Sequence, residues 1–164
     1  MISELLGRKD IEEKIISVLK KTIESGKEQG FSFCIDGGIT AGTVSGGERS
    51  SVHTEGGCKG KVVGALHTHT VLTSTDDILP SPSDVMKGIK GFDFFCVGGF
   101  KGNAGIVRCF DKRNIERELR NIVKAKKGLL SEENMHTPSK MMIIYMIKDK
   151  NYLEKHSFKK SFTI

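Results

Sequence analysis

The run KVVGALHTH, Lys61–His69, passes from a short apolar and β-branched stretch directly into two histidines separated by one threonine. Such a stretch reads as a buried central strand that delivers polar side chains to a site at its end. In a strand, residues i and i+2 project from the same face about 7 Å apart along the backbone. His67 and His69 can therefore converge on one metal ion. A catalytic zinc takes three protein ligands and keeps a fourth position for water, so an Asp or Glu must complete the pair, and Asp84 is the first choice downstream.

Working outward, a Thr-, Ser- and Asp-rich loop runs to Pro80. Ser81-Pro82-Ser83-Asp84 then has the form of a helix start, with Ser81 as N-cap, Pro82 at the first helical position and Asp84 at the third. This helix ends near Gly91. Strands over Phe92–Gly98 and Gly105–Phe110, joined through Lys101–Asn103, form a hairpin. Residues 113–126 carry Ile115, Leu119, Ile122 and Val123 on one face, which predicts an amphipathic helix over a sheet. Beyond it, Ser131 marks a further helix start, and the apolar run Met141–Ile147 fits helix or strand equally.

Upstream, Asp10 and Glu13 have capping-box spacing, and Ile11, Ile15, Ile16, Leu19 and Ile23 repeat at helical intervals, predicting a helix over 10–25 that breaks at Gly26. Phe31, Phe33 and Ile35 alternate as a strand before a Gly37-Gly38 turn. The glycine-rich stretch 42–60 follows, with weak strand signals at Thr40–Val44 and Ser50–Thr54. The alternation of helices and strands implies one α/β or α+β layered domain, with 1–127 as its body and 128–164 as a helical or strand extension packing on it.

Composition limits the function classes. A chain of 164 residues that is 37% hydrophobic and 28% charged buries enough surface for a core without a structural metal. It has no run of about 18 apolar residues and no leader-like N-terminus, so the expectation is a cytoplasmic protein with no membrane partner. Cys34, Cys58, Cys96 and Cys109 lack CxxC spacing and are expected as reduced thiols, three of them within apolar runs. The net charge of +6 concentrates in 112–127, where seven Lys or Arg face two Glu. That helix is either a solvated face or a docking face for an acidic partner or for nucleic acid. No RNA-binding aromatic signature accompanies it, so nucleic acid is not the expected partner.

Together, Glu28, His67-Thr68-His69 and Ser81-Pro82-Ser83-Asp84 resemble the motif of the JAMM or MPN-type (JAB domain) zinc isopeptidases, a family that includes RadC-type domains. The likeness in element order covers roughly residues 10–126. It implies a JAB1/MPN-like, cytidine-deaminase-like fold with a central mixed sheet flanked by helices. It further implies Zn2+ held by His67, His69 and Asp84, with Glu28 as general base and Ser81 stabilising the oxyanion. The implied reaction is hydrolysis of a peptide or isopeptide bond in a protein substrate, such as a ubiquitin-like or sulfur-carrier protein. The sequence departs from the motif in having Thr70 where the family has Pro, and eleven residues rather than seven between the second His and Ser81.

Alternatives stay open at three points. Ser74-Thr75-Asp76-Asp77 offers Asp77 as third ligand, although Pro80 would interrupt the helix that should begin there. Glu24, Glu48 and Glu55 compete with Glu28 as base. A non-catalytic assembly module on the same fold, or a RadC-like domain associated with nucleic acid, would carry the same residues, and the C-terminal extension could form a homodimer contact.

Overall fold

The computed structural model describes residues 2–47, 58–70, 78–101, 104–125 and 157–164. The strand signal at Ser50–Thr54, the helix start at Ser131, the run Met141–Ile147 and the competing residues Asp77, Glu48 and Glu55 lie outside them. Two helices come first, α1 (Ile2–Gly7) and α2 (Lys9–Ser25). Strand β1 (Gln29–Ile35) follows, with the short β2 (Ile39–Ala41) and β3 (Ser45–Gly46) both pairing with it antiparallel. Then come β4 (Lys61–Thr68), α3 (Pro82–Gly91), β5 (Phe94–Lys101), β6 (Ala104–Asp111), α4 (Lys112–Ala125) and β7 (Phe158–Thr163).

The strands make one mixed sheet in the order β2-β1-β4-β5-β6-β7, with β3 on the same flank of β1 as β2. Among the described strands only β4 and β5 run parallel, because α3 carries the chain back between them, as a parallel pair requires. Alternation along each strand sorts side chains to two faces. On one face, Phe31, Phe33, Leu66, Phe94, Cys96, Val107 and Cys109 pack against Leu5 and Leu6 of α1 and Ile11, Ile15, Val18 and Leu19 of α2. On the other, Phe95, Val97, Ile106 and Phe110 pack against Ile78, Val85 and Ile89, and Ile115 of α4. The chain is thus a mixed α/β layered structure with helices on both sides of the sheet.

Several local expectations need correction. Helix α2 starts at Lys9 with Arg8 as N-cap and no side-chain cap. Asp10 does not form the capping box with Glu13, because its carboxylate pairs with the Arg8 guanidinium at 2.6 Å. Ile23 is 50% exposed rather than on the buried stripe. The helix does stop at Gly26, whose φ of 67° suits glycine and whose N–H bonds the Thr22 carbonyl. Phe92 caps α3 instead of opening β5. The cysteines are paired, Cys34 with Cys58 and Cys96 with Cys109, not reduced. Cys96 and Cys109 stand directly opposite each other on β5 and β6, an adjacency that apolar surroundings alone do not reveal. Within 128–164, residues Phe158–Thr163 form β7 on the open edge of β6.

Candidate metal centre

The ladder between β1 and β4 brings Glu28 to the histidines. Gly30 pairs with His67 in an antiparallel register, and one step further sets Gln29 beside Thr68 and Glu28 beside His69. Residues opposite one another in an antiparallel pair share a face. Glu28, His67 and His69 therefore project to the same side of the sheet, the side covered by α3. Their ligand atoms all lie within 4.8 Å of one another. Gly30 adds no side chain next to His67.

The fourth member comes from α3. Ser81 accepts the Asp84 N–H at 3.2 Å through its hydroxyl, while its own N–H donates to Asp84 Oδ2 at 2.9 Å, a reciprocal capping box. This cap does more than start the helix, since it fixes the direction of the Asp84 carboxylate. The same Oδ2 lies 3.3 Å from His67 Nε2 and 3.2 Å from His69 Nε2. Charge-assisted N–H···O bonds are normally about 2.7–2.9 Å. Ligand atoms around a tetrahedral zinc, with bonds of about 2.0–2.1 Å, stand about 3.3–3.4 Å apart. The observed separations fit such a donor set as well as they fit hydrogen bonds, and two imidazole nitrogens with one carboxylate can hold a metal ion.

Burial and charge separate the two carboxylates. Burial alone would raise the Asp84 pKa, but the hydrogen bonds from His67 and His69, with the Ser81 N–H, outweigh it and hold the group far below the usual carboxylate range. Glu28 is pushed up, because burial dominates over the attraction of His67 and His69. It is 5% exposed, and its Oε2 has no hydrogen-bond partner among the described residues. A buried oxygen of this kind beside two imidazoles calls for a water or an ion. Pairs of acids driven apart in this way are typical of sites that need one permanent anion and one proton carrier.

All five residues singled out in the sequence, Glu28, His67, His69, Ser81 and Asp84, thus meet at one place, and the competing Glu24 is exposed on α2. Lys87, exposed one helical turn beyond Asp84, contributes positive charge to Glu28; i,i+3 spacing from Asp84 is the only sequence signal for it. Thr68, between the histidines, faces the opposite layer, and period-two alternation is its only sequence signal. Among known proteins, the chain matches no family model, no curated protein and no solved structure.

Proposed function

We propose that this protein is a zinc-dependent hydrolase of peptide or isopeptide bonds, of the JAMM/MPN type that its His-x-His and Ser-x-x-Asp segments resemble. The observation that carries the reading is the single Asp84 oxygen set 3.2–3.3 Å from both histidine Nε2 atoms, with buried Glu28 alongside. His67, His69 and Asp84 would hold the ion through Nε2, Nε2 and Oδ2. When bound, zinc supplies a Lewis acid that makes water a nucleophile near neutral pH and polarises the scissile carbonyl.

The chain's own residues do the rest. Glu28 takes a proton from the attacking water as the new C–O bond forms, and delivers it to the amine nitrogen as the C–N bond breaks. Its burial favours the protonated state in which it must pause between those transfers. Asp84 remains anionic throughout. Ser81, exposed at the helix start, accepts the Asp84 N–H through its oxygen, so its hydroxyl proton is left to donate to the carbonyl oxygen as negative charge develops there. The family resemblance suggests a protein substrate with an exposed C-terminal tail, such as a ubiquitin-like or sulfur-carrier protein.

Metal analysis of the purified protein, together with hydrolysis of a library of quenched-fluorescent peptides and isopeptide-linked peptides, tests the reading. One zinc per chain is expected, lost in His67→Ala and Asp84→Ala and retained in Glu28→Gln, which should be inactive. Zinc retention without hydrolysis in the parent protein would end the peptidase reading. No zinc after reconstitution, with His67→Ala leaving the protein's behaviour unchanged, would favour the non-catalytic assembly module.

A further inference from the structure

Directly behind the metal centre, on the opposite face of the sheet, a hydroxyl pair is buried in an otherwise apolar layer. Thr22 of α2 and Thr68 of β4 are 1% and 0% exposed, and their Oγ1 atoms are hydrogen-bonded to each other. Buried hydroxyls are unfavourable unless fully paired. Here both are paired. Thr22 Oγ1 donates to the Val18 carbonyl at 2.8 Å and Thr68 Oγ1 lies 3.3 Å from the Gln29 carbonyl, so the two hydroxyl protons are shared among these carbonyls and the Thr22–Thr68 bond. Thr68 in turn accepts the Gln29 N–H at 3.0 Å. A chain runs from the Gln29 amide through Thr68 and Thr22 to the carbonyl of Val18.

The start of that chain matters most. The Gln29 N–H belongs to the peptide unit whose carbonyl is that of Glu28, and that carbonyl accepts the Gly47 N–H at 2.8 Å. The unit that follows the proposed base is therefore gripped at both edges, by Thr68 on one side and by the chain leading out of β3 on the other. Glu28 precedes the first residue of β1, and its carboxylate has one oxygen without a hydrogen-bond partner among the described residues. Backbone placement has to aim this side chain.

We propose that Thr68 is a positioning residue for Glu28: its hydroxyl ties the Glu28–Gln29 peptide to α2 and holds the base over the histidines that flank Thr68 in sequence. The inference rests on the hydrolase reading. One residue triplet, His67-Thr68-His69, then serves both faces of the sheet, with the histidines outward to the metal and the threonine inward to the device that aims the base. The metal ligands do not depend on it, since β4 and α3 present them without Gln29.

Thr68→Val, which keeps shape and removes the hydroxyl, tests this beside Thr68→Ser. Zinc stoichiometry should remain one per chain in both. In Thr68→Val, exchange of the Gln29 amide proton, followed by NMR on the zinc-loaded protein, should accelerate about tenfold or more. Its kcat on the best peptide of the library should fall about 10- to 100-fold, the usual consequence of misplacing a reacting group by part of an ångström, with KM little changed. Thr68→Ser should restore both. Unchanged exchange, or faster exchange with unchanged kcat, would overturn the proposal, as would a kcat loss that Thr68→Ser does not rescue. A parent protein that binds zinc but cleaves nothing would sink the hydrolase reading, while the exchange measurement still reports on the hydroxyl chain. If Thr68→Val does not fold, Thr22→Ala interrupts the chain one bond further from Glu28 and should give the same two changes, smaller in size.

Discussion

The carboxylate of Glu28 is buried beside two imidazoles with one oxygen unpartnered among the described residues, an arrangement that costs a folded protein roughly 1–3 kcal/mol. Its pKa is raised chiefly by burial, so the fold favours the protonated form. The stability contributed by this group is fully present below its unfolded pKa and is lost as pH rises through the folded value. Asp84 has the opposite sign: its lowered pKa contributes stability above the unfolded value, lost as pH falls through the folded one. At neutral pH, Glu28→Gln should therefore raise the melting temperature of zinc-free protein, by about 2–4 °C for each kcal/mol recovered, while abolishing hydrolysis. The gain should shrink as pH is lowered toward the ordinary carboxylate range. A fall in melting temperature at pH 7 would mean that the histidines hold the Glu28 anion more strongly than burial opposes it. The site was legible at this scale because its signals are local: a strand end, a helix cap, and a carboxylate at a strand entry. Thr68 was not, since its role depends on Thr22 and Gln29, which only the packing of α2 and β1 brings to it.

Helix α3 carries Asp84, and its seat on the sheet determines whether that carboxylate reaches the histidines. Gly88 lies one turn beyond Asp84 on the same side of the helix, against the ring of Phe95. A Cβ there would overlap three atoms of the ring. Phe95 cannot give way, being 4% exposed and stacked on Phe110 with centroids 5.4 Å apart. Gly88→Ala should thus lift α3 from the sheet, costing about 1–3 kcal/mol despite alanine's better helix propensity. Zinc affinity should fall with it, because the Asp84 carboxylate moves away from two nitrogens that β4 holds still. Unchanged metal affinity in a destabilised Gly88→Ala protein would show that α3 tilts about its cap rather than lifting. The same scale explains what the sequence left obscure. The start of α3 is written in Ser81, Pro82 and Asp84, whereas α2 begins at Arg8 without a side-chain cap. Strand β7 buries only Phe162 among its six residues, so its identity comes from the backbone edge of β6, not from its own alternation.

At the scale of the whole molecule, stability and chemistry are placed at opposite ends of the same strands. The β1–β4 ladder runs from Gly30 opposite His67, at the candidate metal site, to Ile35 opposite Lys61 at the far end, and the Cys34–Cys58 disulfide closes that far end. The second disulfide follows from hairpin register: Lys101 pairs with Ala104, and five residues back along each strand Cys96 meets Cys109. Apolar context in the sequence gave burial for these thiols but not partners, because partnership depends on register set by the turn. Disulfides are characteristic of oxidising compartments, and each of these closes a loop, of 24 and 13 residues in sequence separation. By chain entropy each contributes about 3 kcal/mol. Thiol titration of the unfolded, unreduced protein should find no reactive cysteine. Cys34→Ala with Cys58→Ala should lower the melting temperature by about 6–12 °C, yet leave zinc stoichiometry and kcat at 25 °C unchanged, since four ladder positions separate Cys34 from the residue facing His67. Loss of zinc in that double variant would show that the far end of the ladder, and not only its local hydrogen bonds, holds Glu28 and the histidines in register.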